Sequence, residues 1–283
     1  MSNVLASRAR ADYSQARTKA FLNRIWSVVS GQPTHLLSYD EVREKLHIGG
    51  PVYRGLKTIR IDQIAGSLDR YHQFDRAFLP TQDENADRWQ SIDRAYYKEI
   101  SLPPVVLYKI GEVYFVVDGH HRLSVARQQG QEFIEADVRE CATRVNITPD
   151  LKPEDLEILG KKVEFLERTR LDRLRPKARI RLTIPDGFDI MLEHIAVHRY
   201  FMGIDFQRDI SEEQAVTHWY DTVYSPIVKI IRSSKILEDF PGKTEADLYL
   251  WVLDHQHELA EQEGQPLKPP SKAAQDFIEE VEP

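Results

Sequence analysis

Seven consecutive residues, Asp118-Gly119-His120-His121-Arg122-Leu123-Ser124, bring together a carboxylate, two imidazoles, a guanidinium and a hydroxyl. An apolar, β-branched run (113–117) precedes them and helix-forming residues follow, so a buried strand is expected to turn directly into a helix here. The first N–H groups of a helix have no intrahelical acceptor, and the helix dipole gives them partial positive charge. Gly119 allows close approach to that backbone, His120, His121 and Ser124 add polar contacts, and Arg122 can grip two oxygens at once. The chemistry that fits is anion binding, with phosphate foremost. Asp118 is the candidate to orient an imidazole, take a proton or help hold Mg²⁺. The competing reading is structural, with Asp118 capping the helix and Arg122 in a surface pair.

The elements that must position these residues are legible on either side. Residues 1–30 lack Pro and Gly and read as a helix whose apolar side includes Leu5, Tyr13, Phe21, Ile25 and Val28, ended by Gly31-Gln32-Pro33. Ser38 and Glu41 have capping-box spacing for a short helix. Residues 58–64 alternate as a strand does, and 83–99 read as a helix carrying Trp89, Ile92 and Tyr96, stopped by Pro103 and Pro104. Runs 105–110 and 113–117, joined at Gly111-Glu112, form a hairpin pattern; Gly130 closes the helix after it, and 133–138 is a further strand. Mixed strands and helices in one block indicate an α+β domain.

Beyond Asn146 the pattern is mostly helical: 153 to about 171, then 188–202, 211–232 and 244–262, with a short strand at 179–184. The expected division is an N-terminal helical segment (1–50), an α+β domain (51–145), a basic linker (146–185), a helical domain (186–262) and a loose acidic tail (263–283) rich in proline. His194 and His198 stand four apart on one of these helices without a third ligand, so no metal is assigned to them.

The chain has 283 residues, 38 Lys+Arg against 45 Asp+Glu, and a net charge of −7, which argues against coating nucleic acid by charge alone. Its single cysteine, Cys141, allows no internal disulfide or thiolate cage. No apolar run is long enough to span a membrane, so the expectation is a soluble, cytoplasmic protein with no membrane partner. The segment 161–181 holds nine Lys/Arg against three Asp/Glu, making Arg170, Arg173 and Arg175 the best candidates for contact with DNA or RNA. Oligomeric state is not encoded in any of these patterns.

From about residue 57 to 140 the chain resembles the ParB/sulfiredoxin-like superfamily, through the strand at 59–64, the long helix, the hairpin, the Gly119-His120-His121-Arg122 helix start and the strand at 133–138. The Asp-Gly-His-His-Arg version is most similar to the free-serine kinase branch, and the helical region beyond looks like that of ParB-like proteins without an assigned role. The resemblance implies an α+β fold and a nucleotide partner (ATP, ADP or CTP with Mg²⁺) at Gly119, His120, His121, Arg122 and Ser124. Asp118 and His121 would then stand at a centre of phosphoryl transfer or nucleotide hydrolysis. The kinases' catalytic glutamate aligns with Leu68, which leaves the neighbouring Asp69 as base, with Arg70 and Arg76 as further phosphate contacts. The alternative from another class is a non-catalytic DNA- or RNA-binding regulator that uses nucleotide as a switch. The reactive cysteine of sulfiredoxins falls on His120, so that chemistry is not implied. ParB's Glu-Asn-x-x-Arg is also missing, since Cys141 stands between Glu140 and Arg144 where Asn is needed.

Overall fold

A computed structural model describes residues 2–30, 35–70, 72–263 and 268–281. The chain forms two compact units, 1–156 and 157–283.

The first unit opens with α1 (Ser2–Ser30), followed by β1 (Leu37–Ser38) and α2 (Tyr39–Lys45). Ser38 accepts from the Glu41 N–H at 3.4 Å, so the capping residue read from sequence starts α2. Four elements come next: β2 (Val52–Arg60), β3 (Ile64–Ser67), α3 (Ala86–Tyr97) and β4 (Val105–Ile110). The last three are β5 (Val113–Asp118), α4 (His120–Gln128) and β6 (Phe133–Cys141). The six strands make one mixed sheet in the order β1-β3-β5-β4-β6-β2. The β4–β5 hairpin and the closing strand lie where the sequence pattern puts them. The strand expected at 58–64 is longer and broken: β2 begins at Val52, and a tight turn at Ile61–Gln63 separates it from β3. That turn moves the chain from one edge of the sheet, where β2 pairs with β6, to a parallel place beside β5.

One sheet face is covered by α4 and the loop after β3, with Ile64, Phe74, Phe78, Leu107, Val116 and Leu123 in a common core. A neighbouring cluster joins α1 to α3 and α4 through Tyr13, Ala16, Ala20, Trp89 and Val125. The buried side of α1 matches the expected one at Tyr13 and differs elsewhere. Ala9, Tyr13, Ala16 and Ala20 are buried at helical spacing, whereas Phe21 and Ile25 are half exposed. The alanines let α1 approach closely around Tyr13, while Phe21 and Ile25 stay outside. Leu5 is partly covered, and the Val28 side chain and 31–33 lie outside the described residues.

The second unit is helical: most of α5 (Pro153–Thr169), then α6 (Leu171–Leu174), α7 (Gly187–Phe206), α8 (Glu212–Trp219), α9 (Ser225–Ser234), α10 (Glu245–Glu263) and α11 (Pro270–Val281). Trp219, Tyr224 and Tyr249 pack at its centre, with Trp219 Nε1 donating to Tyr249 Oη at 3.0 Å. Between α8 and α9 the helix widens into a π turn (Tyr220–Tyr224), as expected ahead of Pro226, which has no N–H for the regular ladder. Two expectations are corrected here. The 179–184 segment is not a strand; it is held by side chains, with Thr183 N–H donating to Asp247 and Thr244 Oγ1 donating to the Arg181 carbonyl. Residues 270–281 are not a loose tail but a helix that buries Ala273, Ala274, Phe277 and Ile278. No helix among the described residues is long and apolar enough to cross a membrane.

The parallel β3–β5 contact depends on Gly66. A Cβ there would fall 2.1 Å from the buried Phe115 ring. Gly66→Ala is expected to cost about 1–3 kcal/mol in urea denaturation, while Gly50→Ala, with open space around it, should stay within about 0.5 kcal/mol of wild type. Equal stability of the two variants would contradict the β3–β5 packing.

Candidate functional site

Because β3 and β5 run parallel, with Ser67 opposite Val116, both strands end on the same side of the sheet. One exit carries Leu68, Asp69 and Arg70; the other carries Asp118, Gly119 and the start of α4. Crevices at the carboxyl ends of parallel strands are common ligand positions in mixed α and β folds. Gly119 has φ +97°, and a Cβ on it would lie 2.6 Å from Val105, so glycine is required by the turn itself. Asp118 does not cap the helix; its carboxylate faces solvent and pairs with Arg122 at 2.6 Å.

The two histidines point into the protein. His120 Nε2 lies 2.8 Å from Ser67 Oγ, and Ser67 Oγ also accepts the Arg70 N–H at 3.1 Å. Phe74 stacks on the His120 ring, 6.0 Å between centroids, and meets His121 edge-on at 5.4 Å. His121 is 4% exposed, and among the described residues neither of its ring nitrogens has a hydrogen-bond partner. Burial lowers the pKa of both imidazoles to about 4, with Arg70 adding to the effect on His120 and Arg88 and Arg70 adding to it on His121. Both rings are therefore neutral at pH 7. They can offer an N–H to an anion but no charge.

Other sequence candidates serve the scaffold. Arg122 donates to the carbonyls of Pro103 and Pro104, the latter at 2.8 Å, besides its bond to Asp118. Ser124 is fully buried and accepts from Trp89 Nε1 at 2.9 Å. Arg76 reaches the carbonyls of His35 at 3.3 Å and Leu151 at 3.2 Å, and burial lowers its pKa to about 10. The arrangement thus gathers Arg70, Asp118, Gly119, His120 and His121, leaves Asp69 exposed on the adjoining loop, and turns Arg122, Ser124 and Arg76 to holding the backbone and core. Sequence reasoning missed Ser67, Phe74 and Arg88. Arg88 had a usable signal, standing one residue before the core Trp89 on an amphipathic helix.

In the second unit, Arg170 pairs with Glu213 at 3.1 Å, and Arg175 makes two hydrogen bonds to Asp221. Their partners offset the charges singled out for DNA or RNA, and the neighbouring Arg173 lies on the short α6. His194 bonds Tyr249 Oη at 3.1 Å and His198 bonds His218 at 2.7 Å, each in a polar contact of the helical core. Among the described residues no group of three or more His, Cys, Asp and Glu could hold a metal ion. Cys141 is buried beside Tyr39 Oη. Comparison of the chain with protein-family models and with curated proteins found no match.

Two predictions follow from this geometry. A folded-state imidazole pKa near 4 against 6.5 unfolded means that stability is complete above pH 6.5 and falls as pH drops towards 4. Asp93, raised to about 6 by burial, and Asp75, also raised, act in the opposite sense, so the difference between proteins is the useful quantity. His121→Leu removes one buried proton acceptor and two unpartnered nitrogens. It should equal or exceed wild-type stability at pH 7.5 and lose less between pH 6.5 and 4.5; a pH-independent difference would refute the buried, neutral imidazole. Arg122→Lys keeps the charge but cannot span two proline carbonyls and Asp118, and is expected to lose about 1–3 kcal/mol by urea denaturation.

Proposed function

We propose that the crevice at the ends of β3 and β5 binds the phosphates of a nucleotide. The observation that carries this reading is His121: a polar ring almost wholly buried, with both nitrogens unpartnered among the described residues, at the positive end of a nine-residue helix. Unsatisfied buried polar atoms are costly, and in native proteins they recur at functional positions. The first-turn N–H groups of α4 supply fixed donors, and Arg70 and Arg88 supply the positive charge that the neutral imidazoles lack.

Asp118 and Asp69 complete the reading. Asp118 is solvent-facing at the turn and is the carboxylate that would help hold Mg²⁺ brought in with the nucleotide; such an ion commonly binds one or two carboxylates, with phosphate oxygens and water filling the rest. Its contribution would be to neutralise phosphate charge. In this reading the oxygen of a hydroxyl acceptor or of water attacks the terminal phosphorus, the bond to the leaving phosphate breaks, and Asp69 takes the proton. The α4 N–H groups and Arg70 hold the transferred phosphoryl oxygens. ATP, ADP and CTP all carry the required chemistry. The paired state of Arg170 and Arg175 supports no separate nucleic-acid reading.

Thermal unfolding tests the proposal on wild type, Arg70→Gln and Asp118→Ala, with ATP, ADP, CTP and inorganic phosphate in the presence of Mg²⁺. A nucleotide at about 100 times its Kd stabilises by about 2.7 kcal/mol. One of the three should do so in wild type, with most of the shift lost in Arg70→Gln. Unshifted wild type, or an equal shift in Arg70→Gln, rejects the site. Turnover of ATP or CTP that persists in Asp69→Asn would remove Asp69 as base.

A further inference from the structure

A cleft of about 970 Å³ lies within the first unit, walled by the C-terminal part of α1, the 72–82 loop, the start of β3 and the end of α4. Its volume is that of a small-molecule pocket. Phe74, which packs on both histidines, also lines it, as does Arg76.

The apolar part of its wall is aromatic. Phe21 and Trp26 on α1 line the cleft and are 52% and 70% exposed. The burial of Ala9, Tyr13, Ala16 and Ala20 already gives α1 its packing face, so these two large rings are surplus to docking the helix. Exposed aromatic surface beside a cleft is a stacking platform for a planar ring.

Charge decides what else the occupant carries. The carboxylates on the wall are already bonded: Asp75 accepts from the Leu79 N–H at 2.8 Å and from Asn23 Nδ2 at 3.2 Å, and Asp62 pairs with Arg60. Arg127 is different. It donates to the Ile61 carbonyl at 2.7 Å, while among the described residues its buried Nε has no hydrogen-bond partner. Asp75 and Asp62 offset only part of its desolvation. Arg24 stands over the Phe21 ring, 5.5 Å from its centroid. The end of α4 would otherwise present the negative pole of the helix dipole, so Arg127 turns that wall from repelling anions to attracting them.

We propose that this cleft binds a small planar aromatic anion, its ring against Phe21 and Trp26 and its acid group held by Arg127 and Arg24. The proposal does not rest on the nucleotide reading and would stand if that reading failed.

The test is calorimetric titration of the full chain with 2-naphthoate, the neutral 2-naphthamide and inorganic phosphate. Saturable binding of one 2-naphthoate per chain is expected, at least tenfold tighter than either of the others. Arg24→Gln and Trp26→Ala, both on the exposed side of α1, should each weaken it tenfold or more. Arg127→Met should do the same, and if it fails to fold the two α1 variants decide. No saturable naphthoate binding, naphthamide binding as tight as naphthoate, or wild-type affinity in Arg24→Gln overturns the proposal. So does loss of binding in Arg70→Gln with Arg24→Gln unaffected, which would move the ligand to the β5–α4 turn.

Discussion

The 2.8 Å hydrogen bond between Ser67 Oγ and His120 Nε2 joins the end of β3 to the start of α4, and the geometry of the crevice depends on it. The same hydroxyl oxygen accepts the Arg70 N–H, so one atom sets the spacing between the loop bearing Asp69 and Arg70 and the helix bearing both histidines. Burial then dictates the ionic state. A protonated imidazole would have to be desolvated near Arg70, and the ring stays neutral instead. A neutral ring has one donor and one acceptor. It can therefore complete a hydrogen bond with a hydroxyl without placing a second charge beside the arginine.

Residue types told correctly where the strand turns into a helix, and they overstated how many donors are free there. Arg122 and Ser124 look available in the sequence because their acceptors are distant along the chain. The carbonyls of Pro103 and Pro104 precede β4, and the Trp89 indole lies on α3. Gly-x-x-Arg encodes a guanidinium near a helix start; it does not encode whether backbone carbonyls have already taken it. Ser67 shows the converse. Nothing local marks it, and it gains its role from the parallel β3–β5 register, a non-local property created by the turn at Ile61–Gln63.

The hairpin, α2 and its serine cap, and the closing strand were legible because each follows from short-range pattern. The elements that differ from their sequence pattern share a cause: spacing, not composition, decides which residues pack. Proline before α11 marked a loose tail, yet Pro270 sits at a helix start, where its missing N–H costs nothing, and Ala273, Ala274, Phe277 and Ile278 form an apolar stripe behind it. On α1 the largest apolar residues were taken for the packed side. Tyr13 does pack, but the rest of the stripe is Ala9, Ala16 and Ala20, which allow close approach to α3 and α4. The 179–184 segment alternates like a strand, but an extended chain becomes a strand only with a partner ladder, and here Asp247 and Thr244 supply the bonds.

The two proposed ligand positions lie towards opposite ends of α4, a nine-residue helix about 13 Å long. Its N-terminal end favours an anion through the dipole, with Arg70 and Arg88 close by; its C-terminal end opposes one through the dipole and depends on Arg127. Phe74 belongs to both neighbourhoods, since it packs on His120 and His121 and lines the cleft. It is also fully buried, and a close-packed interior leaves such a ring little room to move by itself. A displacement of Phe74 by an occupant of the cleft would press on the two imidazoles as well as on Phe78. The link between the ends of α4 is thus steric, carried by one ring, while the charges that recruit each anion remain separate.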